Sequence, residues 1–248
     1  MTEREIDKPN IWIKTGCLLT YGGSIDASEH RHIAMQVVLP DSNSVSTLNG
    51  QPFQGAVIID SNVPHCLKMQ KGWVLLAEPH SALGAYLKER LNGQKQMPIS
   101  AAANLLLPQT DPFAHFFKIF SDIQLSAQMR DNDLNFVTDA RIYSVLDELN
   151  RCFNGECMTP QHWRAKYMAR KLHLSESRFL HLFSEQVGVA WRPYLLWRRM
   201  LCALQAMQRG QNATKAAYEA GFSDSAHLSR TFRSTFGMTI RQARGLFT

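Results

Sequence analysis

The sequence predicts an α+β chain with a strand-rich N-terminal part, a helical connection and an all-α C-terminal part. Three observations carry this. Short apolar runs alternate with turn residues from Ile11 to Ala77. From Ala82 onward, apolar residues fall at helical spacing instead. A seven-residue segment, Ser177–Phe183, also recurs 49 residues later as Ala226–Phe232. The boundaries these shifts mark are 1–98, 99–138 and 139–248.

In the first part the runs Ile33–Leu39, Ala56–Ile59 and Trp73–Ala77 read as strands. Tyr21-Gly22-Gly23-Ser24, Asp41-Ser42-Asn43-Ser44 and Gln70-Lys71-Gly72 supply turns, and Asn49-Gly50 is a hairpin signal. Strands this short and closely spaced predict a small antiparallel barrel or sandwich.

Leu83, Tyr86, Leu87 and Leu91 then suggest a short helix, as does Ala102–Leu107, with Asn92-Gly93 and Pro98 as interruptions and 108–112 as a loop. Phe113, Phe116, Phe117, Phe120 and Ile123 form an amphipathic stripe. It fits either packing within the subunit or a dimer helix.

From Thr138 the pattern is helical almost throughout. Ile142, Val145, Leu146 and Leu149 share a face, and Asn154-Gly155 ends that helix. Thr159-Pro160-Gln161 has the makings of another helix start.

The net charge of +6 is unevenly placed. Residues 139–248 carry 16 Lys+Arg against 8 Asp+Glu, and 13 of those cations are arginine; residues 1–138 carry 11 against 13. Arginine suits bidentate contacts to phosphates and guanine edges, so the C-terminal part is a candidate for nucleic-acid binding. No apolar run reaches the ~18 residues of a membrane span. Met1–Asn10 is polar and lacks the apolar segment of a secretion signal, which predicts a cytoplasmic protein. Five scattered cysteines (Cys17, Cys66, Cys152, Cys157, Cys202) are expected as free thiols there. A redox pair of Cys152 and Cys157, or a metal site with His162, has no standard spacing behind it.

The repeat is more specific. Leu174-Ser175-Glu176 enters the first copy and Phe222-Ser223-Asp224 the second, and each copy is followed by a glycine, Gly188 and Gly237. Helical segments Ala165–Leu172 and Thr214–Ala220 precede them, with Gly221 suited to a left-handed helix end. Ser175 and Ser223 or Asp224 suit the N-caps of the second helices. Helix, tight turn, capped second helix is the helix-turn-helix pattern, whose second helix enters a major groove. Phe179, Phe183, Leu228 and Phe232 then face inward. Ser177, Arg178, Leu180 and His181 project outward in the first copy, and Ser225, Ala226, Ser229, Arg230 and Arg233 in the second. Arg230 suits a guanine; Arg233, Arg198 and Arg199 suit phosphates. Between the copies, Trp191–Met207 reads as a long helix holding the units apart. Successive major grooves on one DNA face lie about 34 Å apart.

These residues resemble the AraC/XylS family of bacterial regulators. Ala220-Gly221-Phe222 through Arg233, then Phe236-Gly237, is similar to the family signature around its second helix-turn-helix, and Trp191–Arg199 resembles its linker helix. Departures stand at Thr239-Ile240 and Ala243-Arg244, where the family has threonine-proline and tyrosine-arginine. The resemblance implies a DNA-binding regulator, commonly an activator and often a homodimer, with double-stranded DNA and RNA polymerase as partners. It also implies an N-terminal sensor domain, frequently a cupin-like barrel.

In that part Glu29-His30-Arg31-His32, Gln36 and Pro64-His65-Cys66 are similar to the cupin pattern of histidine-x-histidine, an acid or amide four residues on, and a distant histidine. On a strand, His30 and His32 share a face, and Cys66 points away from His65. Three imidazoles with Gln36 or water suit a divalent nickel, zinc, cobalt or manganese ion. Gln36 stands where metal-binding cupins usually carry glutamate, and the glycine before the second motif is absent. A small organic effector, or none, remains an alternative. A metal-dependent cupin enzyme joined to a DNA-binding segment is the main rival; no nucleotide loop, nucleophile elbow or zinc-protease signature appears. A purely structural DNA-binding protein fits poorly with the long non-basic N-terminal part.

Overall fold

The structure is a computed structural model that describes residues 10–99, 111–117, 137–154 and 163–244. The chain divides into two units. Unit 1 comprises Met1–Glu78, Leu83–Asn132 and Phe232–Thr248; unit 2 comprises Pro79–Ala82 and Asp133–Thr231.

Among the described residues, unit 1 holds ten strands in two antiparallel sheets. One has the order β1 (Asn10–Lys14), β2 (Cys17–Gly22), β9 (Gly72–Ala77), β4 (Met35–Pro40), β7 (Ala56–Ile59), β10 (Gln96–Ile99). The other has the order β3 (Ile25–His30), β8 (His65–Met69), β5 (Ser46–Leu48), β6 (Gln51–Pro52). The hairpin at Asn49-Gly50 forms as expected, both residues having positive φ (52° and 77°) with Leu48 opposite Gln51.

Strands β4, β7 and β9 are buried on both faces, so their sequences are continuous apolar runs instead of alternating ones. One face of the larger sheet (Leu19, Met35, Val37, Ile58, Trp73, Leu75) packs against Leu83, Leu87 and Leu91 of helix α1 (Ala82–Leu91) and against α2 (Pro112–Phe117). The opposite face of β4 carries Gln36, which reaches His65 of the smaller sheet.

One expectation is corrected here, and one open alternative is narrowed. Pro98 does not interrupt helices; it sits in β10, opposite Val57. β10 is an outer strand of its sheet, where a residue without an N–H is tolerated. Phe113, Phe116 and Phe117 are buried in the unit 1 core, which favours packing within the subunit over a dimer helix for the described part of that stripe. Phe120, Ile123, 102–107 and 159–161 lie outside the described residues.

Unit 2 is helical: α3 (Ala140–Asn154), α4 (Ala165–Lys171), α5 (Glu176–Val187), α6 (Trp191–Gln208), α7 (Ala213–Glu219) and the first turns of α8 (Ser225–Phe236). The last turn of α8 and helix α9 (Ile240–Arg244) group with unit 1. Ile142, Val145, Leu146 and Leu149 are buried on α3, as their spacing predicts. The start of α9 needs no proline. Thr239 and Gln242 form a reciprocal cap, Thr239 N–H donating to Oε1 (2.7 Å) and Gln242 N–H to the Thr239 hydroxyl (3.2 Å).

Cys17, Cys66 and Cys152 are in no disulfide, but Cys202 is disulfide-bonded, which corrects the expectation for that residue. Cys157 and His162 lie outside the described residues.

Candidate functional site

The two helix-turn-helix units of the repeat are built alike. Helix α4 ends at Leu172, followed by His173 at φ 55°; helix α7 ends at Ala220, followed by Gly221 at φ 76°. The next N–H reaches back five residues in both, Leu174 to the Ala169 carbonyl and Phe222 to the Ala217 carbonyl, each at 2.8 Å. This is the Schellman closure that satisfies a helix's last carbonyls. The first unit achieves it with a histidine in the left-handed region, where glycine is unstrained.

The turns then differ by one residue. Ser175 caps α5, its Oγ accepting the Arg178 N–H at 3.2 Å. In the second unit Ser223 is passed over and Asp224 caps α8, accepting the His227 N–H at 2.6 Å. That bond holds the Asp224 carboxyl below its ordinary range.

The capped helices present the faces their spacing predicts. Phe179, Phe183, Leu228 and Phe232 are buried. Ser177, Arg178 and His181 are exposed on α5; Ala226, Ser229, Arg230 and Arg233 are exposed on α8, with Ser225 half-buried. Leu180 is half-buried, and His181 Nδ1 lies 3.7 Å from Glu185 on its own helix.

Arg198 and Arg199 are not free for phosphates, because helix α6 is covered on more sides than its apolar stripe indicates. Arg198 is 3% exposed. Its guanidinium donates to Asn150 Oδ1 (2.8 Å) and to the Tyr194 hydroxyl (3.3 Å) and lies over the rings of Phe153 and Tyr194. Arg199 donates to the carbonyls of Ala220 (3.0 Å) and Gly221 and lies over the Phe222 ring. It therefore clamps the carbonyl end of α7 and the turn of the second unit, where a cation also suits the helix dipole. Sequence reasoning missed this positioning role, since nothing in the run Trp197-Arg198-Arg199 marks it.

In unit 1 the four residues of the cupin-like pattern come together. His30, His32 and His65 are all buried, with one potential ligand atom from each within 4.8 Å of the others. His30 closes β3 opposite His65 of β8, next to a register irregularity after Ala27 that re-aims it. His32 is not on a strand, as the histidine-x-histidine spacing suggests; it follows β3 in an irregular turn and still faces inward.

Backbone carbonyls fix the rings. Nδ1 of His30, His32 and His65 lies 2.8, 3.0 and 2.9 Å from the carbonyls of Ser28, Ala34 and Val63. A carbonyl only accepts, so each Nδ1 carries the proton and each neutral ring keeps a lone pair on Nε2. Burial keeps the rings neutral: it pushes His30 down to about 4 and His32 to about 3, and lowers His65, with the neighbouring histidines adding to the effect on the first two.

The Gln36 carboxamide lies 2.9 Å from Nε2 of His32 and 3.0 Å from Nε2 of His65, measured to Oε1. Two acceptor nitrogens are satisfied only by the NH2 end of the amide, which has two protons to give. With that end inward Gln36 bridges two metal-free rings; turned over, it offers Oε1 as a ligand.

The depressed values carry a pH prediction. Below about pH 6.5 unfolded histidines take up protons that the buried ones refuse. Metal-free protein is therefore expected to lose stability progressively as pH falls from about 6.5 toward 4. Melting midpoints across that range measure this, and His32→Gln should flatten the dependence; a midpoint unchanged from pH 7 to 5 would contradict it.

A family model described as a helix-turn-helix domain matches residues 168–245. Over 85 residues the chain is 33% identical to the virulence regulon transcriptional activator VirF of Yersinia enterocolitica and to the thermoregulatory protein LcrF of Yersinia pestis. Those residues are 34% of this chain and 31% of either relative, so the chain spans about a third of the curated relatives it matches. Among solved structures, ToxT from Vibrio cholerae O395 aligns with 98% of this chain and 99% of its own at 14% identity, with a TM-score of 0.50. ToxT bound to (E)-4-(8-methylnaphthalen-1-yl)but-3-enoic acid aligns with 97% and 98% at the same identity and TM-score. At that identity the likeness shows the fold, a strand-rich part followed by a helical one. Residues 168–245 of this chain therefore belong to the AraC-type helix-turn-helix domains of DNA-binding transcription regulators.

Proposed function

We propose that this chain is a transcription regulator that reads two successive major grooves and senses a divalent first-row metal in its strand-rich unit. Ser177, Arg178 and His181 of α5 and Ser225, Ala226, Ser229, Arg230 and Arg233 of α8 contact DNA. The exposure of all of them but the half-buried Ser225, on two capped helices of a duplicated motif, supports this. Arg198 ties α6 to α3 and Arg199 clamps the turn of the second helix-turn-helix, so neither serves a phosphate.

The observation that carries the metal reading is the set of three neutral imidazoles whose Nδ1 protons are all committed to carbonyls. Metal-bound histidines ordinarily have such partners, which fix the tautomer and the ring. His30, His32 and His65 would hold the ion through Nε2, with Gln36 or water as a fourth ligand. Bound metal would act as an effector, stabilising one state of the protein.

The test is thermal unfolding of metal-stripped protein with nickel, zinc, cobalt or manganese, beside His32→Ala. Metal at 100 times its dissociation constant adds about 2.7 kcal/mol, enough to raise the midpoint by several degrees. The rise is expected in wild type and not in His32→Ala. No rise with any of the four ions would make the histidines pocket lining and turn the search to organic effectors.

A further inference from the structure

Gly237 follows α8 in the left-handed conformation (φ +68°). Its carbonyl accepts two hydrogen bonds from Ser28, one from the backbone N–H at 3.0 Å and one from the hydroxyl at 2.8 Å. The Ser28 carbonyl in turn accepts the Nδ1 proton of His30 at 2.8 Å. A hydrogen-bonded relay thus runs from the end of α8 to a ring of the histidine cluster, all of it inside unit 1.

The approach is close because residue 237 has no side chain. A Cβ there would lie 2.3 Å from the Ser28 carbonyl oxygen and 2.7 Å from Nδ1 of His30. The preceding residue also contributes: the Phe236 ring centroid lies 6.5 Å from that of His32. Phe236 and Gly237, at the end of the helix that carries Arg230 and Arg233, therefore lie beside two of the three imidazoles.

We propose that the Phe236-Gly237 end of α8 is a wall of the histidine site, and that metal occupancy and the setting of α8 are linked through the Gly237–Ser28–His30 relay. This rests on the metal reading above. Ligand nitrogens around a tetrahedral ion with bonds of about 2.0–2.1 Å stand roughly 3.4 Å apart. The cluster, spread over as much as 4.8 Å, has room to tighten around an ion. A ring that moves inward draws on the Ser28 carbonyl, and Ser28 holds the backbone at Gly237. Partners of this kind typically change metal affinity 10–100-fold when removed.

The experiment titrates Co2+ into full-length, metal-stripped protein with and without a DNA duplex selected in vitro from a random library. In wild type, Co2+ is expected to change duplex affinity by at least about 5-fold, and the duplex to change Co2+ affinity by the same factor. Ser28→Ala removes the hydroxyl bond to the Gly237 carbonyl while keeping the backbone carbonyl that holds His30, so it is expected to leave Co2+ affinity without DNA close to wild type and to lower that factor toward one. Gly237→Ala sets a Cβ against the Ser28 carbonyl and His30 and should lower both the factor and Co2+ affinity, but it also disturbs the end of α8 itself, so Ser28→Ala decides. Wild type that takes up none of cobalt, nickel, zinc or manganese overturns the metal reading and this inference with it. Metal uptake that is indifferent to DNA in wild type, or a coupling factor that Ser28→Ala leaves unchanged, overturns the relay and leaves the metal reading standing.

Discussion

Replacing Trp191 by alanine is expected to remove about 3–5 kcal/mol of stability from unit 2. Trp191 opens α6 and is 2% exposed. Its ring meets Phe179 and Phe183 of α5 edge-on, with centroids 5.2 and 4.9 Å away, and Trp163 at 6.5 Å. Edge-to-face pairs are each worth about 0.5–1.5 kcal/mol beyond the area they bury. A domain is stable by only about 5–15 kcal/mol, so this loss is a large fraction of the whole. The consequence is specific, because Phe179 and Phe183 are the inner face of the helix whose outer face carries Ser177, Arg178 and His181. Denaturant unfolding would measure the loss. A change under 1 kcal/mol would mean the ring cluster is not the core of the first helix-turn-helix unit.

DNA binding is expected to weaken about 10³-fold or more between 50 and 200 mM salt, as for proteins that neutralise several phosphates. Within that total, two arginines on one helix should separate. Arg230 and Arg233 are both exposed on α8. Arg230→Ala should cost about 1–3 kcal/mol on the selected duplex and far less on others. Arg233→Ala should weaken all sequences alike and lower the salt slope by about one. Titrations at four salt concentrations on specific and scrambled duplexes read both. Equal losses on both duplexes for Arg230→Ala would make it a phosphate contact.

Much of the helical part is legible because its signals are local. Capping residues, the glycine at 221 and the apolar spacing of α3, α5 and α8 each act within a few residues, and the helices formed where these signals stood. What was not legible depends on neighbours distant in sequence. Arg198 and Arg199 read as exposed cations by their own turn of helix. They are occupied because α3 supplies Asn150 and Phe153 to one, and α7 supplies its terminal carbonyls to the other. Likewise Gln96–Ile99 has a proline where a strand is not expected, and only its position at the rim of a sheet makes that harmless.

At the histidine cluster, residue types and spacing were enough to find His30, His32, Gln36 and His65. The strand placement of His32 was not, since an irregular turn can bring a ring inward without period-two alternation. The carbonyls that fix the rings carry no residue-type signal, because every residue has one. Neither does Gly237, whose role at Ser28 is separated from the histidines by some 200 positions.

The extra residue in the second turn has a consequence for the genome rather than for the protein. The two tandem helix-turn-helix units are not exact copies, and the insertion of Ser223 makes their turns unequal. Under the proposed function a site that suits them has a head and a tail, so reversing it relative to a neighbouring gene would turn the protein around on that site. Under that reading the pattern to search for within one chain's site is a directional pair of dissimilar half-sites, not a palindrome.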